Sequence, residues 1–138
     1  MSNSVLLAVN GTLMRGLELN SNLQQVGATF VKATQTAPVY RLWSIGDSYP
    51  AMQRVAVAGQ AIAVEVWAVP AAGLCEILQQ EPAGLCIGKV ALADGEVVLG
   101  VLAEAVICQD QPEITAWGGW RAYIARPASS SVQSTLGC

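Results

Sequence analysis

The residues best placed to do chemistry follow a short apolar stretch near the amino terminus. Residues 5–9 are apolar and are followed at once by Asn10 and Gly11, a pattern typical of a buried strand that ends in a tight loop. Because Gly11 has no Cβ, the backbone there can turn sharply or lie close to a ligand. Bare backbone N–H groups in such a loop bind anions such as carboxylates. The loop is therefore either a simple strand-ending turn or a site where Asn10, Gly11 and Thr12 hold a small polar molecule.

Two carboxylates are candidates for acid/base chemistry. Glu65 is the one charge in residues 61–69, and a carboxylate buried at the mouth of a barrel needs partners, for which Arg41 and Arg54 are the candidates. Glu81 stands where a predicted helix ends. A structural role is the alternative for each: an ion pair or a solvated face for Glu65, and an exposed helix end for Glu81.

A third group of candidates is aromatic and basic. Residues 117–123 place two tryptophans around a Gly-Gly pair, followed by Arg121 and Tyr123, which are suited to wall a pocket and clamp a carboxylate. The same residues also fit the core plug and last strand of a small domain. Residues 40–43 repeat the mixture, beginning with Tyr40. We predict one shallow polar pocket, walled by Asn10, Gly11, Thr12, Leu13, Tyr40, Glu65, Glu81 and residues 120–123.

Composition narrows the class of protein. The 138 residues make one domain, and 53% hydrophobic content with only 12% charged residues leaves apolar surface for a partner subunit to cover. No stretch is long enough for a membrane span or a signal-peptide core, so we expect a cytoplasmic protein. A net charge of −3 argues against nucleic acid. Histidine is absent and the cysteines are widely spaced, so we expect no metal, no cofactor and no Ser–His or Cys–His catalysis. The cysteines are predicted to be small apolar fillers, except Cys138, which we expect to be exposed.

Strand patterns dominate the chain. They cover residues 5–9, 27–33, 39–45, 54–57, 61–69, 85–93 and 96–108, with a hairpin turn at Asp94 and Gly95 and a bulge or bend at Gly100. One main helix is predicted over residues 70–80, and a short helical turn over 21–25. We therefore expect an α+β fold, a small mixed β-barrel of six or seven strands with one main helix. Residues 1–126 would form this single domain and residues 127–138 a disordered tail.

Several segments occur in the order found in a known group of proteins. Asn-Gly-Thr-Leu-Met at 10–14, Tyr-Arg-Leu-Trp at 40–43, Tyr-Pro-Ala-Met at 49–52 and Val-Glu-Val-Trp-Ala-Val-Pro at 64–70 resemble the gamma-glutamylcyclotransferase-like fold. Within it, residues 16–20, 82–88 and the Gly-Gly-Trp-Arg-Ala-Tyr of 118–123 are most similar to the C-terminal domain of allophanate hydrolases. The resemblance covers about residues 4 to 126.

The resemblance implies residue roles, and the chain departs from them in places. Gamma-glutamylcyclotransferases use a Glu after the helix as acid/base, and Glu81 lies within one residue of that place without the Asp-x-x-Glu-Gly pattern. The loop Tyr of that fold is Asn10 here, and the His frequent in the allophanate hydrolase domain is Leu13. The Ser-Ser-Lys amidase machinery is absent, so this chain alone is not expected to hydrolyse allophanate.

The leading functional prediction is a stand-alone relative of that domain, which binds a small carboxylated amide or urea-type metabolite. Its chemistry would be metal-free proton transfer, either decarboxylation or cyclotransfer, with Glu81 or Glu65 moving the proton. Arg121 or the loop N–H groups would anchor a carboxylate. The alternative is a non-catalytic module that dimerises or docks onto a separate amidase or carboxylase subunit. Either way we expect a homodimer, with the strand of residues 96–108 or Trp117 at the interface.

Overall fold

Seven strands and four short helices succeed one another along residues 3–127, the part of the chain that this computed structural model describes. Of the predicted tail at residues 127–138, only Pro127 is among the described residues, so Cys138 lies outside them. None of the helices in residues 3–127 is long and apolar enough to cross a membrane. The elements are β1 (Ser4–Val9), α1 (Asn20–Gln25), β2 (Thr29–Gln35), β3 (Tyr40–Ile45), β4 (Tyr49–Arg54), β5 (Ala63–Pro70), α2 (Ala71–Gln80), β6 (Leu85–Ala91), β7 (Val97–Ala103), α3 (Ala105–Cys108), a 3₁₀ turn (Thr115–Trp117) and α4 (Trp120–Ile124).

Five of the strands form one sheet in the order β2-β5-β1-β7-β6, and β3 pairs with β4 in a separate hairpin. The central strand β1 runs antiparallel to β5 and parallel to β7. The predicted barrel is not confirmed, because the sheet does not close. Its edge strands meet only at the Thr36–Leu92 bridge, where the Ala37 N–H donates to the Ala91 carbonyl at 2.9 Å.

Most predicted strands are confirmed, but the strand predicted at residues 54–57 was wrong. The strand there is β4, and it runs through Pro50, which pairs with Ser44 on a two-stranded hairpin. Proline lacks the N–H that a central strand requires, but it is tolerated in a strand at an edge.

The prediction of a long strand over residues 96–108 was wrong for its second half, and so was the predicted bulge at Gly100. Strand β7 ends at Ala103, and the helix Ala105–Cys108 follows it. Gly100 is not a bulge, because the register with β6 continues through the Gly88–Gly100 pair. A Cβ on Gly100 would lie 2.4 Å from Val90 Cγ2, so glycine is needed there for close packing.

The predicted helices are confirmed and pack on the sheet. In α2, which Pro70 precedes, Gly73 and Ile77 are buried, and a Cβ on Gly73 would lie 2.7 Å from Val26 Cβ. The small residue therefore lets α2 approach the end of α1. Residues 120–124 form a helix rather than the last strand considered above.

Period-two alternation gives β1 two buried faces. Leu7 and Val9 belong to the main core with Leu23 of α1 and Ile77 of α2, whereas Ala8 belongs to a second cluster. Of the cysteines described, Cys108 is buried as predicted, but the filler role predicted for Cys75 and Cys86 was wrong because both are exposed.

Candidate functional site

A cavity of about 200 Å³ lies where the parallel strands β1 and β7 end. Ligands commonly bind beside the carboxyl ends of strands in sheets of mixed α and β structure. The cavity brings together the loop after β1, the turn between β3 and β4, and the loop between α2 and β6. Its lining includes Asn10, Gly11, Thr12, Leu13, Glu18, Ser48, Tyr49, Pro50, Glu81, Pro82 and Leu85.

The loop after β1 is held by packing and side-chain hydrogen bonds. Asn10 is buried, and its Nδ2 donates to the Val101 carbonyl at 3.0 Å, which ties the end of β1 to β7. A Cβ on Gly11 would lie 2.5 Å from Pro50 Cδ, so only glycine lets the β3–β4 hairpin lie against the loop. Within residues 3–127 the N–H groups of Gly11, Thr12 and Leu13 have no backbone acceptor. Since these three residues line the cavity, their N–H groups are candidate donors to a ligand.

Glu81 contributes a carboxyl group to the same cavity. It directly follows α2, and its own N–H donates to the Leu78 carbonyl at 3.2 Å, which fixes its backbone. Burial raises the pKa of Glu81 above its ordinary value, because desolvation disfavours the charged carboxylate. The other carboxylate in the lining is the exposed Glu18, and no Lys or Arg lines this cavity. A carboxyl group with a raised pKa and loop N–H groups without acceptors therefore line the same cavity.

Glu65, the second predicted acid/base, lies elsewhere and is fully engaged. Its Oε1 accepts from the Arg15 N–H at 2.9 Å and from the Trp67 indole at 3.2 Å, and its Oε2 accepts from Arg15 Nε and Arg121 Nη2, each at 3.2 Å. Burial acts to raise the pKa of Glu65, but the hydrogen bonds from Arg15 and Trp67 outweigh it and lower that pKa. The predicted partners were wrong, because neither Arg41 nor Arg54 reaches Glu65.

The two predicted tyrosines also lie away from the cavity. Tyr40 is fully buried, and its hydroxyl accepts from the Ala91 N–H at 2.9 Å. The Tyr123 hydroxyl donates to Asp47 Oδ1 at 2.7 Å, which lowers the pKa of Asp47 and raises that of Tyr123. Asp47 lies in the β3–β4 turn, and Ser48, which follows it, lines the cavity. The hydrogen bond from Tyr123 therefore stabilises a turn that forms part of the cavity wall.

The predicted single pocket is thus divided in two. The structure brings Glu81 together with the loop of residues 10–13, but it places Glu65 and Arg121 in a different cleft. Sequence reasoning missed Glu18 and the Ser48–Pro50 wall, although the Tyr-Pro-Ala-Met segment marked the latter. Among residues 3–127 no three His, Cys, Asp or Glu side chains are grouped as metal ligands would be.

Comparison with known proteins gives a consistent family likeness. A profile of the allophanate hydrolase C-terminal domain matches residues 5–125. The crystal structure of a uropathogenic E. coli-specific protein is 53% identical, with a TM-score of 0.88 over 91% of this chain and 98% of that one. That of Kluyveromyces lactis allophanate hydrolase is 33% identical, with a TM-score of 0.83 over 88% of this chain and 21% of that one. The urea amidolyase of Saccharomyces cerevisiae is 33% identical over 129 residues, 88% of this chain and only 7% of the enzyme.

A more distant structure extends the likeness of fold. An AIG2-like protein from Mus musculus superposes with a TM-score of 0.63 at 17% identity, over 81% of this chain and 86% of that one. At this identity the match concerns the fold alone. The match supports the predicted α+β, gamma-glutamylcyclotransferase-like fold, but the barrel that was part of that prediction is not confirmed.

Proposed function

The chain belongs to the allophanate hydrolase C-terminal domain family, and from that membership we propose that it binds a small carboxylated amide or urea-type metabolite in the cavity between residues 10–13 and Glu81. The observation that carries the proposal is that one cavity is lined both by residues whose N–H groups have no acceptor and by a carboxyl group whose pKa is raised by burial. A cavity of about 200 Å³ suits a ligand of this size.

The N–H groups of Gly11, Thr12 and Leu13 are the proposed anchor for the ligand's carboxylate or carbonyl oxygen. Preorganised backbone donors stabilise negative charge that develops in a transition state, because they need no reorientation. Arg121 is not required as the anchor, since it donates to Glu65 in another cleft. Burial raises the pKa of Glu81, which disfavours a negative charge there that would repel an anionic ligand.

Glu81 is the proposed acid. In a decarboxylation, its proton passes to the ligand nitrogen, the C–N bond breaks with its electron pair on nitrogen, and the carboxylate leaves as CO₂. Glu81 then regains a proton from water. In the alternative cyclotransfer, the ligand's own amine attacks the carbonyl carbon and the C–N bond to the departing amine breaks. Glu81 gives its proton to that departing amine and regains one from the attacking amine. Neither reaction, as proposed, needs a metal or a cofactor.

Glu81→Gln tests this mechanism, and Glu65→Gln is its matched comparison outside the cavity. Released ¹³CO₂ is followed from a ¹³C-labelled carboxylated urea such as allophanate, and 5-oxoproline is followed from gamma-glutamyl amides. A general acid/base contributes about 10²–10⁴-fold, so Glu81→Gln should lower turnover by that factor and Glu65→Gln should leave it within a few-fold. Full turnover in Glu81→Gln would exclude Glu81 as the acid.

A second candidate function is a docking or dimerisation module that performs no chemistry. The family relationship favours it, because the chain matches only 7% of the length of one urea amidolyase and 21% of an allophanate hydrolase. Such a module would bind a separate amidase or carboxylase subunit. Pull-down of a separately expressed amidase or carboxylase, combined with light scattering of the complex, separates the two functions.

We expect either function to operate in the cytoplasm. Cys75 and Cys86 are exposed free thiols, which persist in a reducing compartment.

A further inference from the structure

The Gly-Gly-Trp-Arg-Ala-Tyr segment, the most specific motif in the sequence, does not line the cavity of Glu81. Its arginine, Arg121, instead lies with Arg15 at a second cleft between the loop after β1 and the ends of β2 and β5. Small residues line this cleft on the same face of the sheet as Glu65, namely Ala33 and Ala63. The proposed reaction does not use these two arginines, so their presence in one cleft needs a separate explanation.

The charges in this cleft do not balance. Glu65 is 5% exposed in its side chain, and both guanidinium groups donate to its Oε2 at 3.2 Å. One buried carboxylate neutralises one arginine and leaves a net positive charge. The two arginine side chains are 52% and 50% exposed, so this charge faces the cleft rather than the core.

The two guanidinium groups are also fixed in place. Arg15 lies over the Phe30 ring, with its Cζ 3.7 Å from the ring centroid, and its backbone is held by Glu65. Arg121 Nη2 donates a second time, to the Arg15 carbonyl at 2.9 Å. Among the guanidinium nitrogens of these two arginines, only Nε of Arg15 and Nη2 of Arg121 have acceptors in the described residues. The remaining guanidinium N–H groups are available to a ligand.

We propose that this cleft is a second binding site, for a small oxyanion of the carboxylate or phosphate type held between Arg15 and Arg121. Planar guanidinium groups bind such oxyanions through paired, charge-assisted hydrogen bonds. Glu65 holds the two arginines against their mutual repulsion. The site is separate from the cavity of Glu81 and does not depend on the function proposed there.

The test uses the full chain, labelled with ¹⁵N, in a buffer without phosphate or carboxylate and at constant ionic strength set with chloride. Sodium malonate and sodium phosphate are titrated in separate arms while the arginine Nε–Hε resonances are recorded. We expect saturable shifts of Arg15 and Arg121, and the arm that binds more tightly identifies the class of oxyanion. Arg121→Gln should weaken binding at least tenfold, whereas Arg41→Gln, which removes a partly exposed arginine elsewhere, should not.

A second variant guards against a folding defect in Arg121→Gln. Ala33→Glu places a carboxylate beside Glu65, with which Ala33 pairs across β2 and β5, without removing either arginine. It should therefore abolish binding while the protein stays folded by circular dichroism. Absence of saturable arginine shifts in the parent protein would overturn the proposal. Equal weakening by Arg41→Gln, or shifts confined to the amides of Gly11, Thr12 and Leu13, would overturn it as well.

Discussion

The two candidate carboxylates show how partners, rather than burial alone, decide the state of a buried acid. Glu81 is desolvated without a compensating donor, and its pKa is raised. Glu65 exposes less of its surface to solvent than Glu81 does, yet the donors around it lower its pKa. A functional acid needs the first environment and an ion-pair anchor needs the second. This contrast favours Glu81 as the acid.

The contrast predicts opposite pH dependences of stability for two conservative variants. The raised pKa of Glu81 stabilises the fold below its ordinary value of 4.5, and this contribution is lost as pH rises through the folded pKa. Glu81→Gln should therefore gain stability relative to the parent as pH rises. The contribution of Glu65 is present above 4.5 and is lost as pH falls through its lowered pKa.

Urea denaturation of the parent and both variants across pH measures these differences. Glu65→Gln should cost about 1–2 kcal/mol at neutral pH, because its arginine partners are half exposed and are partly solvated in either case. The cost should shrink in acid. If the free energy of unfolding varied with pH in the same way in all three proteins, both assigned pKa shifts would be wrong.

The partners of Glu65 mark the limit of what residue patterns predict. The period-two pattern identified Glu65 as a carboxylate in need of a cation, which the structure confirms. Its partners are 50 and 56 residues away in the chain. Arg41 and Arg54 were equally good candidates by composition, and only the path of the chain after β1 and β5 distinguishes them from Arg15 and Arg121.

At the scale of elements, prediction succeeded where a pattern has one local cause. Strand β1, helix α2 and the Asp94–Gly95 turn each follow from apolar periodicity or turn residues. Prediction failed where tertiary packing, rather than the local pattern, determines the secondary structure. Pro50 is accepted in β4 only because that strand lies in a separate hairpin, and Trp120 begins a short helix because its side chain enters the core.

The contact between Gly11 and Pro50 makes the cavity wall depend on two elements at once. In Gly11→Ala the new methyl group would lie 2.5 Å from Pro50 Cδ, so the hairpin must move away from the loop. Overpacking of this kind costs about 1–3 kcal/mol. Pro50→Ala removes the obstructing ring atoms, so adding it to Gly11→Ala should restore part of the stability.

A double-mutant cycle of thermal or urea unfolding measures that coupling. Ligand binding should fall in Gly11→Ala and recover in the double variant, since the same contact shapes the cavity. Strict additivity of the two stability changes would show that the contact does not constrain the loop.

At the scale of the whole molecule, the apolar surface is not spread evenly. Strand β7 lies between β1 and β6 in the sheet, so its edges are not free to pair with a second copy. Its first residue, Val97, is nevertheless 56% exposed and lies beside Val5, Leu6 and Leu99. Trp117 is 43% exposed on the turn before α4. The expected contact between copies is therefore a face at Val97 or at Trp117, rather than a continued sheet.

We predict a homodimer that buries at least about 1,000 Å² in total through one of these two faces, because smaller contacts rarely hold stable dimers. Sedimentation at micromolar concentration should give the dimer for the parent. Val97→Glu or Trp117→Gln should shift it to monomer, since a charge or the loss of a large aromatic at the centre of an interface removes most of its binding energy. Val57→Glu is the matched control, because Val57 is 75% exposed on the loop after β4 and lies outside both faces. A parent that sediments as a monomer would leave both faces open to solvent, and the apolar surface would then need a different partner, such as the amidase or carboxylase subunit of the docking function.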